Sequence, residues 1–263
     1  MKMNGLRLYG KYVGMHVRSA MQYKASLILS TIGQFLVSFS AFLGIYFMYQ
    51  RFPAVEGFTY EETLLCFGIM LMEFSIAEMV VRGFDQFSSM VRQAEFDRVL
   101  VRPRSQVLQV LGSKFELTRL GRILQGGVMF VYALVQADIS WDAWKVLTVI
   151  FMLVGGVALF SGLFLIYAAL CFFTLEGLEF MNVFTDGGRE FGRYPVGIYG
   201  KRILQFCTLI VPYALVQYYP ALYLMGREEG LHYVFLPLLA CLFLLPAYGL
   251  WRLGVRHYQS AGS

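Results

Sequence analysis

Residues 146–175 read VLTVIFMLVGGVALFSGLFLIYAALCFFTL, thirty positions without one charged side chain. A helix needs about 20 apolar residues to cross the hydrocarbon of a bilayer. Soluble cores rarely hold an apolar run of this length, so this stretch decides the fold class. Outward from it the pattern recurs. Residues 25–49 carry no charge, and residues 63–81 carry only Glu73 and Glu78. Residues 117–137 form a span with Arg119 and Arg122 at its start. Residues 203–226 form one interrupted by Pro212 and Pro220, and residues 233–251 close the set. The expectation is an all-α membrane protein of six transmembrane helices, one domain over residues 1–263.

Composition agrees. Apolar residues make up 58% of the 263 and charged residues 15%, against about 45–50% and about 25% in soluble domains. A soluble enzyme, a disordered chain and a disulfide-rich module are excluded. Cys66, Cys171, Cys207 and Cys241 lie in or beside apolar stretches without metal or disulfide spacing. They read as small buried apolar residues.

The net charge of +5 has a topological explanation. With a cytoplasmic N-terminus, five basic residues precede the first span and eight fall between Arg82 and Arg122. Arg189, Arg193, Lys201 and Arg202 place residues 176–202 inside, and Arg252 and Arg256 place the tail there. That is nineteen inside against Arg51, Lys145 and Arg227 outside. Such asymmetry orients membrane proteins. It accounts for the charge without nucleic acid, so no nucleic-acid partner is expected. Tyr46, Tyr49, Trp141 and Trp144 read as an outer aromatic belt, and Tyr248, Trp251 and Tyr258 as an inner one.

Before the first span, Arg7, Lys11 and Arg18 share one helical face. Leu6, Tyr9, Val13, Val17 and Ala20 form an apolar stripe on another. Residues 5–24 therefore read as an amphipathic helix on the cytoplasmic membrane surface, the alternative being a plain basic flank.

The stretch 82–116 is the most informative loop. Phe87, Met90, Val91 and Ala94 repeat at helical spacing. Phe96, Val99 and Leu100 do so half a turn out of phase. The second span is thus expected to continue to about Ala94 and turn near Glu95. A short helix over 96–101 follows, stopped by Pro103. Phe96 and Leu100, four apart and expected to be exposed, fill one groove of a cytoplasmic partner, with Asp97 and Arg98 orienting the contact. Arg102 and Arg104 anchor the exit. The alternative is a solvated loop against the membrane.

Glu73 falls near the middle of the second span, where a carboxylate is costly and by default functional. Two readings stand: a pathway residue attracting a cationic substrate, or a protonated or hydrogen-bonded carboxyl that joins helices. Glu78 lies near the inner end, within reach of Arg82.

No G-x-x-x-x-G-K-[ST] phosphate loop, no G-x-S-x-G elbow and no H-E-x-x-H occurs. The chain is not expected to be an enzyme or to hydrolyse ATP.

Gly83-Phe84-Asp85, followed by Glu95-Phe96-Asp97-Arg98-Val99-Leu100-Val101-Arg102-Pro103, resembles the loop between helices two and three in permease subunits of type-2 ABC transporters. A second block supports this over nearly the whole chain: Phe191-Gly192-Arg193-Tyr194-Pro195-Val196-Gly197-Ile198-Tyr199, then Ile210-Val211-Pro212-Tyr213-Ala214 and Tyr218-Tyr219-Pro220-Ala221. The likeness is to a bacterial branch whose members pair with a separate ATPase. The resemblance implies the membrane-spanning subunit of an ATP-driven exporter in the bacterial cytoplasmic membrane, with both termini cytoplasmic. It implies a second permease subunit, identical or related, and two ATPase subunits that hold ATP and Mg, with no cofactor in this chain. Residues 82–116 are then the coupling loop, and Phe96, Asp97, Arg98, Leu100, Arg102 and Pro103 its ATPase contacts. An ion-driven secondary transporter, which commonly shows internal repeats, and a membrane scaffold remain as alternatives.

Overall fold

The structure is a computed structural model that describes residues 5–137, 139–174 and 179–259. Apart from one isolated bridge between Val55 and Phe58, their regular structure is helical. Helix α1 (Gly5–Gln22) runs into α2 (Lys24–Arg51), broken only at Tyr23. Arg7, Lys11 and Arg18 of α1 are exposed, as expected of its charged face. Tyr9, Val13 and Val17 are half-buried against the chain itself, while Leu6 of the same stripe is exposed. Tyr9 donates to the Val80 carbonyl at 3.1 Å, and burial pushes its phenol up to about 12, so it keeps its proton at neutral pH.

Helix α3 (Tyr60–Asp85) is the central element. Its start is fixed by a capping box. The Glu62 amide donates to the Thr59 hydroxyl and the Thr59 amide to the Glu62 carboxylate at 2.8 Å. Apolar on every side, α3 is buried along most of its length. The chain then passes through α4 (Phe87–Arg92), α5 (Glu95–Leu100) and α6 (Gln106–Leu111). Ala94 adopts a left-handed backbone, φ 54°, at the expected turn.

A 3₁₀ turn over Leu117–Arg119 leads into α7 (Leu120–Gln136). Glycines let α7 approach α3 closely. A Cβ added at Gly68 would stand 2.8 Å from the Phe130 nitrogen, and one at Gly126 3.0 Å from the Gly68 carbonyl oxygen. Helix α8 (Ala143–Thr174) contains the thirty-residue stretch up to Thr174; Leu175 lies outside the described residues. It packs on α3 and on the last helices.

Then come α9 (Asp186–Phe191), α10 (Lys201–Leu209), α11 (Tyr213–Val216), α12 (Tyr218–Leu224), α13 (His232–Ala240) and α14 (Leu244–His257). Among the described residues four helical stretches are long and apolar enough to cross a membrane: α2, α3 continued through α4, α8, and α13–α14. A fifth counts if α10 and α11–α12 are one span. Helix α7 has 17 residues, about 26 Å at 1.5 Å per residue.

Two segments differ in detail from the sequence reading. Residues 203–226 are not one helix: α10 and α11–α12 are bent by 84°. Pro212 lacks an amide hydrogen and disfavours helix in the residue before it. Residues 179–202 also do not stay at the Asp85 end of α3, although Asp186 lies close enough to act on Asp85 and Glu78. Arg189 stacks over Phe74 at 4.9 Å and Arg193 over Phe67 at 5.9 Å. The Tyr194 hydroxyl reaches Met48 Sδ near the end of α2. The segment therefore climbs the middle of α3 toward its Tyr60 end. From there α10 returns to mid-bundle, where Cys207 and Tyr213 share a cavity wall with Phe184 and Gly188. Helices α11 and α12 lead back out, and Arg227 beyond them pairs with Glu62 at 2.5 Å.

Candidate functional site

The out-of-phase apolar pattern of the 82–116 loop produces an elbow of three short helices at the Asp85 end of α3. Its inner face is an aromatic box. Phe96 is 0% exposed. Its ring lies 5.2 Å from Phe87, 5.2 Å from Phe172 of α8, 6.1 Å from Trp251 of α14 and 5.1 Å from Tyr258. This overturns the expected exposure of Phe96. The buried pair on α5 is Phe96 and Val99, three apart, rather than Phe96 and Leu100, four apart. Phe96 is thus a pin between elbow and bundle, not a surface anchor. Trp251, expected in an interfacial belt, is 1% exposed in the same box. Asp97 accepts a hydrogen bond from the Tyr258 hydroxyl at 3.0 Å, which holds α5 to the chain beyond α14.

The outer face of the elbow carries the remaining candidates. Arg98, Leu100, Arg102 and Pro103 are exposed. Val101, which the sequence did not single out, is 83% exposed at the apex. Gln109 of α6 donates to the carbonyls of Val99 at 3.1 Å and Arg104 at 3.2 Å, fixing the turn that presents the apex. An apolar tip flanked by arginines on a pinned turn has the chemistry of a protein-docking surface.

Behind the elbow lies a charge cluster of which the sequence revealed only the Glu78–Arg82 pair. Glu78 Oε1 is 2.9 Å from Arg82 and 2.7 Å from Arg119, and Oε2 is 3.2 Å from Arg122. Arg82 also pairs with Asp85 at 2.6 Å. Arg119 and Arg122 were expected near the membrane interface; both are buried. The available signal was two basic residues opening an otherwise apolar span, opposite a carboxylate one helix away. The cluster ties α3 to the start of α7.

Glu73 is fully buried and faces α8 of its own chain, where a Cβ added to Gly156 would overlap its carboxyl. Neither of its oxygens has a hydrogen-bond partner among the described residues. Of its two sequence readings, a pathway residue or a carboxyl that joins helices, the contact with α8 fits the second.

The sequence model of the ABC-2 family transporter proteins matches residues 35–262. The chain belongs to that family. It is a membrane permease component of the ABC transporter type, a class that works with ATPase partners. No curated protein and no solved structure matches it.

Proposed function

We propose that this permease is the membrane-spanning subunit of an ATP-driven exporter and that α5 with its following turn is the contact to a separate ATPase. The observation that carries this reading is the two-sided elbow. Its outer face offers Leu100 and Val101 between Arg98 and Arg102, while its inner face locks Phe96 between α4, α8 and α14. A push on the apex therefore moves two long helices as well as α3. The Glu78 cluster stiffens the junction of α3 and α7, so that movement reaches them together.

In this reading ATP and Mg bind the partner, since the chain has no phosphate loop. A second permease subunit completes the substrate pathway. The bilayer is the bacterial cytoplasmic membrane, with both termini cytoplasmic and α1 along its inner surface. Six crossings follow: α2, α3, α7, α8, the irregular stretch 179–200 and α13–α14. Helices α10–α12 form a re-entrant hairpin from the outer side. Co-expression with candidate ABC ATPase subunits from the same genome tests the proposal. Val101→Asp should weaken co-purification by about thirtyfold in affinity, the scale of one interface anchor worth about 2 kcal/mol. Stable assembly of the variant with full transport removes the elbow from the contact.

A further inference from the structure

At the inner end of α14 lies a groove of about 420 Å³ that the aromatic box does not fill. Three arginines line it: Arg104 from the turn before α6, and Arg252 and Arg256 from α14. Among the described residues that line it there is no aspartate or glutamate. Arg252 and Arg256 are four apart, share a helix face and are exposed. The same face continues toward mid-bundle through Tyr248 and then Leu245, both exposed. From Leu245 to Arg256 is eleven residues, about 16 Å along a helix.

The order along this stripe is apolar, aromatic, then doubly cationic. A glycerophospholipid presents the complementary order of acyl chain, glycerol backbone and phosphate. A soluble protein seated on the arginines would leave Leu245 and Tyr248 unexplained. We propose that this groove binds the phosphate headgroup of an anionic phospholipid, with Arg252 and Arg256 holding the phosphate and Tyr248 flanking the glycerol. Val101 at the docking apex lies three residues before Arg104, so a bound headgroup also bears on the turn that presents the apex. The site itself stands independently of the ATPase reading.

The test uses the full chain in neutral detergent, titrated with phosphatidylglycerol, phosphatidylcholine or inorganic phosphate while bound lipid and the thermal midpoint are followed. Phosphatidylglycerol should bind and raise the midpoint, and phosphatidylcholine should not. R252Q/R256Q should weaken phosphatidylglycerol binding about thirtyfold, the combined value of two near-surface basic residues. R252K/R256K should retain most of it. Should the double glutamine variant fail to stay monodisperse, R252Q and R256Q alone should each cost about fivefold. Unchanged affinity in the glutamine variants overturns the proposal. So does inorganic phosphate reproducing the lipid effect, which would make the ligand a free anion. Loss of a co-purifying ATPase with lipid affinity intact would make the groove a protein contact and likewise end it.

Discussion

Phe96 and Glu78 carry the sharpest residue-level consequences. Phe96→Ala removes a ring that touches four aromatic neighbours. Burial on this scale predicts a loss of about 3–5 kcal/mol. The variant should therefore show a lowered thermal midpoint and poor recovery from detergent, unlike Val101→Asp, which should keep a normal midpoint. Equal midpoints for Phe96→Ala and the parent chain would mean the box is not closed. Glu78→Gln leaves Arg82, Arg119 and Arg122 facing one another without their shared acid. Breaking a buried pair from one side costs about 3–5 kcal/mol. Adding Arg119→Gln to Glu78→Gln should recover part of that loss, and the double-mutant cycle on the midpoint measures the coupling. Sequence made Glu78–Arg82 visible, because the two sit four apart on one helix. It did not show Arg119 and Arg122 joining them, because that contact depends on how α7 docks. Phe96, read from the sequence as exposed, is buried. Two periodic partners, Val99 and Leu100, were available to it, and only the bundle decides which face is covered.

At the scale of elements, the long apolar helices were legible because composition alone fixes them. The short ones near Pro103 and Ala94 were legible because phase breaks and proline punctuate the chain. Helix α10 to α12 was not, since a run of uncharged residues looks the same whether it crosses or turns back. The docking of α6 on α3 was also hidden. A Cβ added at Gly83 would overlap the Val110 carbonyl oxygen, with the Ser113 hydroxyl 2.7 Å away. The obstacle on α6 is backbone, so it has little room to yield. Gly83→Ala should cost about 1–3 kcal/mol by overpacking and should loosen the elbow. Protease cleavage between α5 and α6 in detergent, compared with the parent chain, reads this directly. An unchanged cleavage rate would show that α6 shifts without cost.

For the molecule as a whole, counting basic residues assumes that each one is solvated. Arg189 and Arg193 break that assumption. Arg189 is 2.7 Å from Glu190 and stacks on Phe74, and Arg193 also pairs with Glu190 and stacks on Phe67. Charges paired with one another on the bundle carry less topological information, so the count does not by itself place residues 179–202. The geometry yields a different map. Gly197 lies against Tyr218, whose ring meets Phe58 at 6.2 Å, just before the start of α3. Lys201 and Arg227 therefore lie at one end of the bundle and the elbow at the other. Single cysteines in a chain whose native cysteines are replaced test this in intact cells with an impermeant thiol reagent. Lys201→Cys and Glu229→Cys should label from outside. Arg102→Cys should label only after the membrane is permeabilised. Protection of Lys201→Cys together with labelling of Glu229→Cys would restore a continuous fifth span and an inside loop. That outcome would remove the re-entrant hairpin, because α10 would then have to cross the bilayer instead of turning back at Pro212.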